Sequence, residues 1–181
     1  MGATRTGTLR AMTISTISAL AVGCVACFTD VRSQRIPNVL TFGAAAAAVI
    51  FHTLAPQGIG FMSALGGWFV GVLIMFVPFA LRGLGGGDIK LIGALGAWLG
   101  PANAAWLGLY AGVAGFVMAL VVALYSGYLR KALSNIWFLL QHWTVNGIRP
   151  LDDVSLEGSS GPRLAYALPI FAGLVMAIWL H

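Results

Sequence analysis

Three stretches of the chain, residues 12–29, 59–81 and 104–128, run without a single charged side chain. A hydrocarbon core about 30 Å thick takes about 20 apolar residues per helical crossing, whereas a barrel strand needs only about 9–11. In lipid, every backbone polar group must be satisfied inside a helix or a closed barrel. Runs of this length therefore predict an all-α polytopic membrane protein. Composition agrees, with 59% hydrophobic and 8% charged residues, against roughly a quarter charged in soluble domains. The Lys and Arg residues lie between the apolar runs, so topology explains the net charge of +5 and nothing calls for a nucleic-acid partner.

Three further spans complete the pattern. Residues 37–54 open on Pro37, which suits the first turn of a helix, and pass through an alanine-rich stretch. Residues 88–100, between Gly87 and Pro101, give roughly 20 Å of helix at about 1.5 Å per residue, so a helix starting at Asp88 begins below the headgroups. Residues 164–180 form the last span, with a bend or break expected at Pro169. In residues 130–143, Leu133, Ile136, Trp137 and Leu140 recur at helical spacing opposite Arg130, Lys131, Ser134 and Gln141, the pattern of an interfacial helix. Residues 144–162 read as a polar loop. The expected architecture is one membrane-embedded domain over residues 1–181, a bundle of about six transmembrane helices. A basic start before an apolar run also describes a signal peptide, but here further spans follow.

Six crossings put both termini on one side. Segments after the first, third and fifth spans carry Arg32, Arg35, Arg82, Lys90, Arg130, Lys131, Arg149 and Arg163, against Arg5 and Arg10 opposite. This asymmetry predicts that the first group faces the cytoplasm and the termini face outward. Trp98, Trp106 and Trp179 then fall near the outer interface, where indole rings settle.

The chain has five acidic residues. Asp152, Asp153 and Glu157 crowd into the polar loop, where acids are ordinarily solvated, and they lack the ligand spacing of a calcium loop. Asp30 ends the first apolar run, and Asp88 follows Gly85, Gly86 and Gly87 directly and precedes another apolar run. Glycines allow close approach and unusual backbone angles, so this loop can bend Asp88 toward a partner. An ionisable group inside a span costs about 2.5–3.5 kcal/mol on the insertion scale and usually faces a polar cavity. Two carboxylates meeting there would share a proton. One could then activate a water while the other protonates a substrate carbonyl or leaving amine. Other readings stand beside this one. Asp88 before an apolar run is also an ordinary helix N-cap, Asp30 alone could be a juxtamembrane polar residue, and paired acids suit a proton-coupled transporter or scaffold.

Other chemistries find less support. Cys24 and Cys27 have C-x-x-C spacing, but a structural zinc needs four ligands, so two small buried thiols in a helix are expected. His52, His142 and His181 fit no H-E-x-x-H pattern. Ser63 lacks the glycines of a nucleophile elbow. No metal site or cofactor is expected, since an Asp pair needs only water.

Asp30 with Arg35-Ile36-Pro37-Asn38, then Gly85-Gly86-Gly87-Asp88-Ile89-Lys90-Leu91 with Gly96, Leu99, Gly100 and Pro101 behind it, resembles the type IV prepilin peptidase family, the GxGD membrane aspartic proteases. The resemblance implies catalytic aspartates at Asp30 and Asp88, and an active-site loop carrying Gly85 and Gly87 with the basic residue Lys90. Residues 166–173 are similar to the family's last helix, although Ala165 stands where a proline is usual. The chain resembles the short, peptidase-only form of Flp/Tad pilus systems, without the zinc-binding cytoplasmic domain of the methylating members. It follows from the resemblance that the partner is a prepilin or pseudopilin, cut after a glycine at the cytoplasmic face of the bacterial inner membrane.

Overall fold

The computed structural model describes residues 2–56, 58–80, 84–127 and 165–181 together with Ser134 and Trp137, and side chains from residue 14 onward. The expectations for residues 130–143 and 144–162, Asp152, Asp153 and Glu157 included, lie outside the described residues apart from those two positions. Six helices lie among the described residues: α1 Gly2–Ser33, α2 Asn38–Leu54, α3 Phe61–Ala80, α4 Gly86–Leu99, α5 Pro101–Tyr125 and α6 Ala167–Leu180. Among the described residues there are no strands. Ile14–Ser33, α3 and α5 are long and apolar enough to cross a membrane, and α2 and α6 are shorter apolar helices. The protein is thus an all-helical membrane protein, as its apolar runs predict.

Several boundaries differ from the sequence reading. The first helix continues through Asp30 to Ser33, because nothing stops it until Gln34, which adopts a left-handed φ of 52° and so ends the helix. Ser33 Oγ donates to the Thr29 carbonyl at 2.7 Å across the last turn. Helix α5 begins at Pro101, one residue beyond Gly100, whose φ of 80° lets α4 and α5 turn through a single residue. Pro169 neither bends nor breaks α6. It is the third residue of that helix, in the first turn, where a missing N–H costs nothing.

Helix α4 is the axis of the bundle. Ten of its residues, from Asp88 to Trp98 with Lys90 excepted, are buried, and α1, α2, α3, α5 and α6 all pack on it. Glycines permit the closest contact, with α3. A β-carbon on Gly67 would collide with the Gly96 carbonyl, and one on Gly71 would lie 2.7 Å from the Ile92 carbonyl oxygen. Helix α6 runs antiparallel to α5, with Tyr166 against Gly115, Gly173 against Ala111, and His181 stacked on Trp106 at 4.0 Å. These pairings bring the C-terminal end of α1 and the starts of α4 and α6 to one end of the bundle.

The opposite end is closed by aromatic packing. His52 is buried, with Nε2 3.1 Å from the Trp98 carbonyl oxygen and Nδ1 accepting the Ile59 N–H at 3.3 Å. Trp98 is 7% exposed and packs on Phe51 and His52. It is therefore a core residue and not the interfacial anchor its position suggests, whereas Trp179 is exposed. Cys24 is also exposed and Cys27 half-buried, so the two thiols are helical but not both interior. Replacing Gly67 by Val should lower the thermal unfolding midpoint in detergent, at a cost of about 1–3 kcal/mol for overpacking. Gly43→Val, whose β-carbon meets nothing within 4 Å, should not. Equal midpoints for Gly67→Val and the wild type would contradict this packing.

Candidate active site

A polar cavity of about 310 Å³ opens at the end of the bundle where α1 stops and α4 starts. It is lined by Asp30, Gln34, Arg35, Ile36 and Asn38 from one side and by Gly85, Gly86, Gly87 and Asp88 from the other. Asp30 and Asp88, 58 positions apart in the sequence, are 7% and 8% exposed, and both line this one cavity. The two acids singled out by their apolar context are therefore brought together.

Each acid is held by a backbone donor. Asp30 Oδ2 accepts the buried Ala167 N–H at 3.0 Å. One turn earlier on α1, Cys27 Sγ donates to the Ala167 carbonyl at 3.2 Å, so both backbone groups of Ala167 are gripped by the same helix face. Asp88 Oδ2 accepts the Gly85 N–H at 3.1 Å, while Gly85 O accepts the Asp88 N–H at 3.2 Å. A charged acceptor bonded to a backbone N–H makes one of the stronger hydrogen bonds available.

The glycine segment is not a free loop. Gly86 and Gly87 form the first turn of α4, which places Asp88 third in the helix and not at its N-cap. Gly85 occupies the cap with an extended φ of −77°, so none of the three glycines is needed for a left-handed conformation. At Gly87 the requirement is space, since a β-carbon there would lie 3.2 Å from Ile36 Cβ. Lys90 is also helical, and its side chain reaches across to α2. Its Nζ donates to Asn38 Oδ1 at 2.9 Å and sits 5.2 Å from the centre of the Phe42 ring, tying α4 to the start of α2.

Ala167, the donor to Asp30, is the functional residue that sequence reasoning passes over. Pro169 two residues later is the signal, because a proline in a first turn marks a helix start and hence free N–H groups. Tyr166 precedes it, and its ring packs against Gly115. From Gly115, α5 continues to Tyr125, about 15 Å further at 1.5 Å per residue. The start of α6 is thus recessed relative to the end of α5.

Fold and cavity together define a polytopic membrane protein with a pair of buried acids in a recessed polar pocket. The chain belongs to the type IV leader peptidase family, whose model matches residues 17–124 and so includes both aspartates. No curated protein and no solved structure matches it significantly.

The Ala167 contact makes a prediction that is independent of catalysis. Asp30→Ala leaves a buried N–H unpaired and should cost about 1–3 kcal/mol of stability. Asp30→Asn keeps an acceptor and should stay close to the wild type. Denaturation in detergent compares them, and an unchanged midpoint for Asp30→Ala would contradict the contact.

Proposed function

We propose that this protein is an aspartic endopeptidase that removes the leader of a prepilin or pseudopilin at the cytoplasmic face of the bacterial inner membrane, with residues 1–181 acting as one membrane-embedded domain. The observation that carries the reading is the meeting of Asp30 and Asp88, from different helices, in one recessed polar cavity within the region matched by the family.

In this reading the dyad works with one acid ionised and one protonated, because two like charges at close range resist joint ionisation. The ionised carboxylate takes a proton from a water as its oxygen attacks the scissile carbonyl carbon, and the protonated acid gives its proton to the carbonyl oxygen. Collapse of the resulting gem-diol breaks the C–N bond, and a proton passes from the dyad to the leaving amine. Backbone N–H donors from Ala167 and Gly85 hold the two carboxylates in place throughout. Lys90 contributes by fixing α4 against α2, not by touching the reacting atoms.

The recessed cavity suits a substrate whose leader is in the cytoplasm and whose apolar segment enters the bilayer. The association with a Flp/Tad-type pilus, and hydrolysis without methyl transfer, rest on the resemblance of the sequence motifs.

Because the two acids act as one unit, Asp30→Asn and Asp88→Asn should each eliminate processing of a co-expressed prepilin at equal membrane levels, and the double variant should be scarcely worse. Asn keeps an oxygen to accept the Gly85 or Ala167 N–H, so substantial cleavage by either variant would overturn the dyad and favour a proton-relaying transporter. Orientation is tested separately. A reporter fused within residues 144–160 should give a cytoplasmic signal, as the eight-to-two basic asymmetry requires, and a periplasmic signal would reverse the assignment.

A further inference from the structure

An apolar groove of about 540 Å³ runs between α3 and α5, lined among others by Ile74, Met75 and Pro78 on one side and Gly112 and Phe116 on the other, and Tyr166 lines it too. Tyr166 joins the groove to the candidate active site. The next residue, Ala167, donates its N–H to Asp30. Among the described residues, a β-carbon on Gly112 would meet no atom within 4 Å.

We infer that this groove seats the apolar helix of the membrane-embedded substrate, the segment that follows the bond to be cut; the inference rests on the peptidase reading. Lipid covers most apolar surface of a membrane protein, but this strip offers two features that a lipid chain cannot use. Pro78 lies inside α3 and has no N–H to give the Ile74 carbonyl, so an acceptor is left without its helical donor at the level of the groove. The Tyr166 hydroxyl adds a second polar group at the end nearest the acids. A helix whose preceding residues are drawn out for cleavage exposes its first N–H groups, and in lipid those groups need acceptors. An acyl chain has no donors to give. Gly108 is already packed against Ile74 of α3, whereas Gly112, one turn further on α5, is a small residue at which a second helix can approach closely.

The test compares two substrates of the reconstituted full-length enzyme: a prepilin with its apolar helix in the bilayer, and a short soluble peptide spanning only the leader junction. Gly112→Leu fills the groove. It should slow processing of the embedded prepilin by about tenfold or more, because binding energy remote from the reacting bond is lost, while the peptide is cut at close to the wild-type rate. Val113→Trp, at a groove-lining position that is 54% exposed, should give the same split. Gly43→Leu, on the exposed face of α2, should change neither rate. Unchanged prepilin processing by both groove variants would overturn the inference and leave the groove to lipid, and so would an equal loss on both substrates. Failure of the wild type to cut either substrate would instead overturn the peptidase reading, and the inference with it.

Discussion

The close approach of α3 and α4 organises the molecule. Between helices in lipid there is no hydrophobic driving force, so association relies on packing and interhelical hydrogen bonds. Gly67 against Gly96, and Gly71 against Ile92, bring two backbones to a separation that no side chain would permit. That contact allows α4, only 14 residues long, to sit at the centre with five helices around it. A helix of this length is shorter than a bilayer's hydrocarbon core, and Asp88 lies buried in its first turn. Stability and site are thus consequences of one packing arrangement.

The same geometry accounts for the cavity. Two helices, α4 and α6, begin beside the two carboxylates, while α5 runs past the start of α6. Helix starts expose backbone N–H groups, and two of these, from Gly85 and Ala167, are directed at the two carboxylates. Acids that would be expensive in hydrocarbon therefore find donors that the short helices leave unpaired. A site built from rigid helix ends with donors already in place needs little reorganisation during a reaction, which is what the proposed proton exchange between Asp30 and Asp88 requires.

Much of this was legible in the residues, and what was not has physical causes. Asp30 and Asp88 stood out because a charge beside an apolar run demands an explanation. The helical architecture followed from run length alone. The sequence did not reveal that Trp98 faces the protein, because a helix apolar on all sides has no polar face to tell its lipid side from its core side. Glycines suggested a loop, yet Gly86 and Gly87 are helical, since crowding against Ile36 and not backbone angle is what calls for a small residue at Gly87. The Ala167 donor left almost no trace, because a backbone N–H has no residue type of its own. Lys90 was marked by its charge, but its partner Asn38, on another helix, could be found only in three dimensions.

The central claim is that Asp30 and Asp88 together stabilise a tetrahedral centre formed by water. The most direct measurement is the affinity of a prepilin peptide whose scissile carbonyl is replaced by a hydroxyl-bearing tetrahedral carbon. An enzyme complementary to its transition state binds such an analogue at least about a hundredfold more tightly than the substrate. The account predicts that this advantage is present in the wild type and vanishes in both Asp30→Asn and Asp88→Asn, while affinity for the uncut peptide stays nearly constant. An advantage that survives in either variant, or is absent from the wild type, would contradict it.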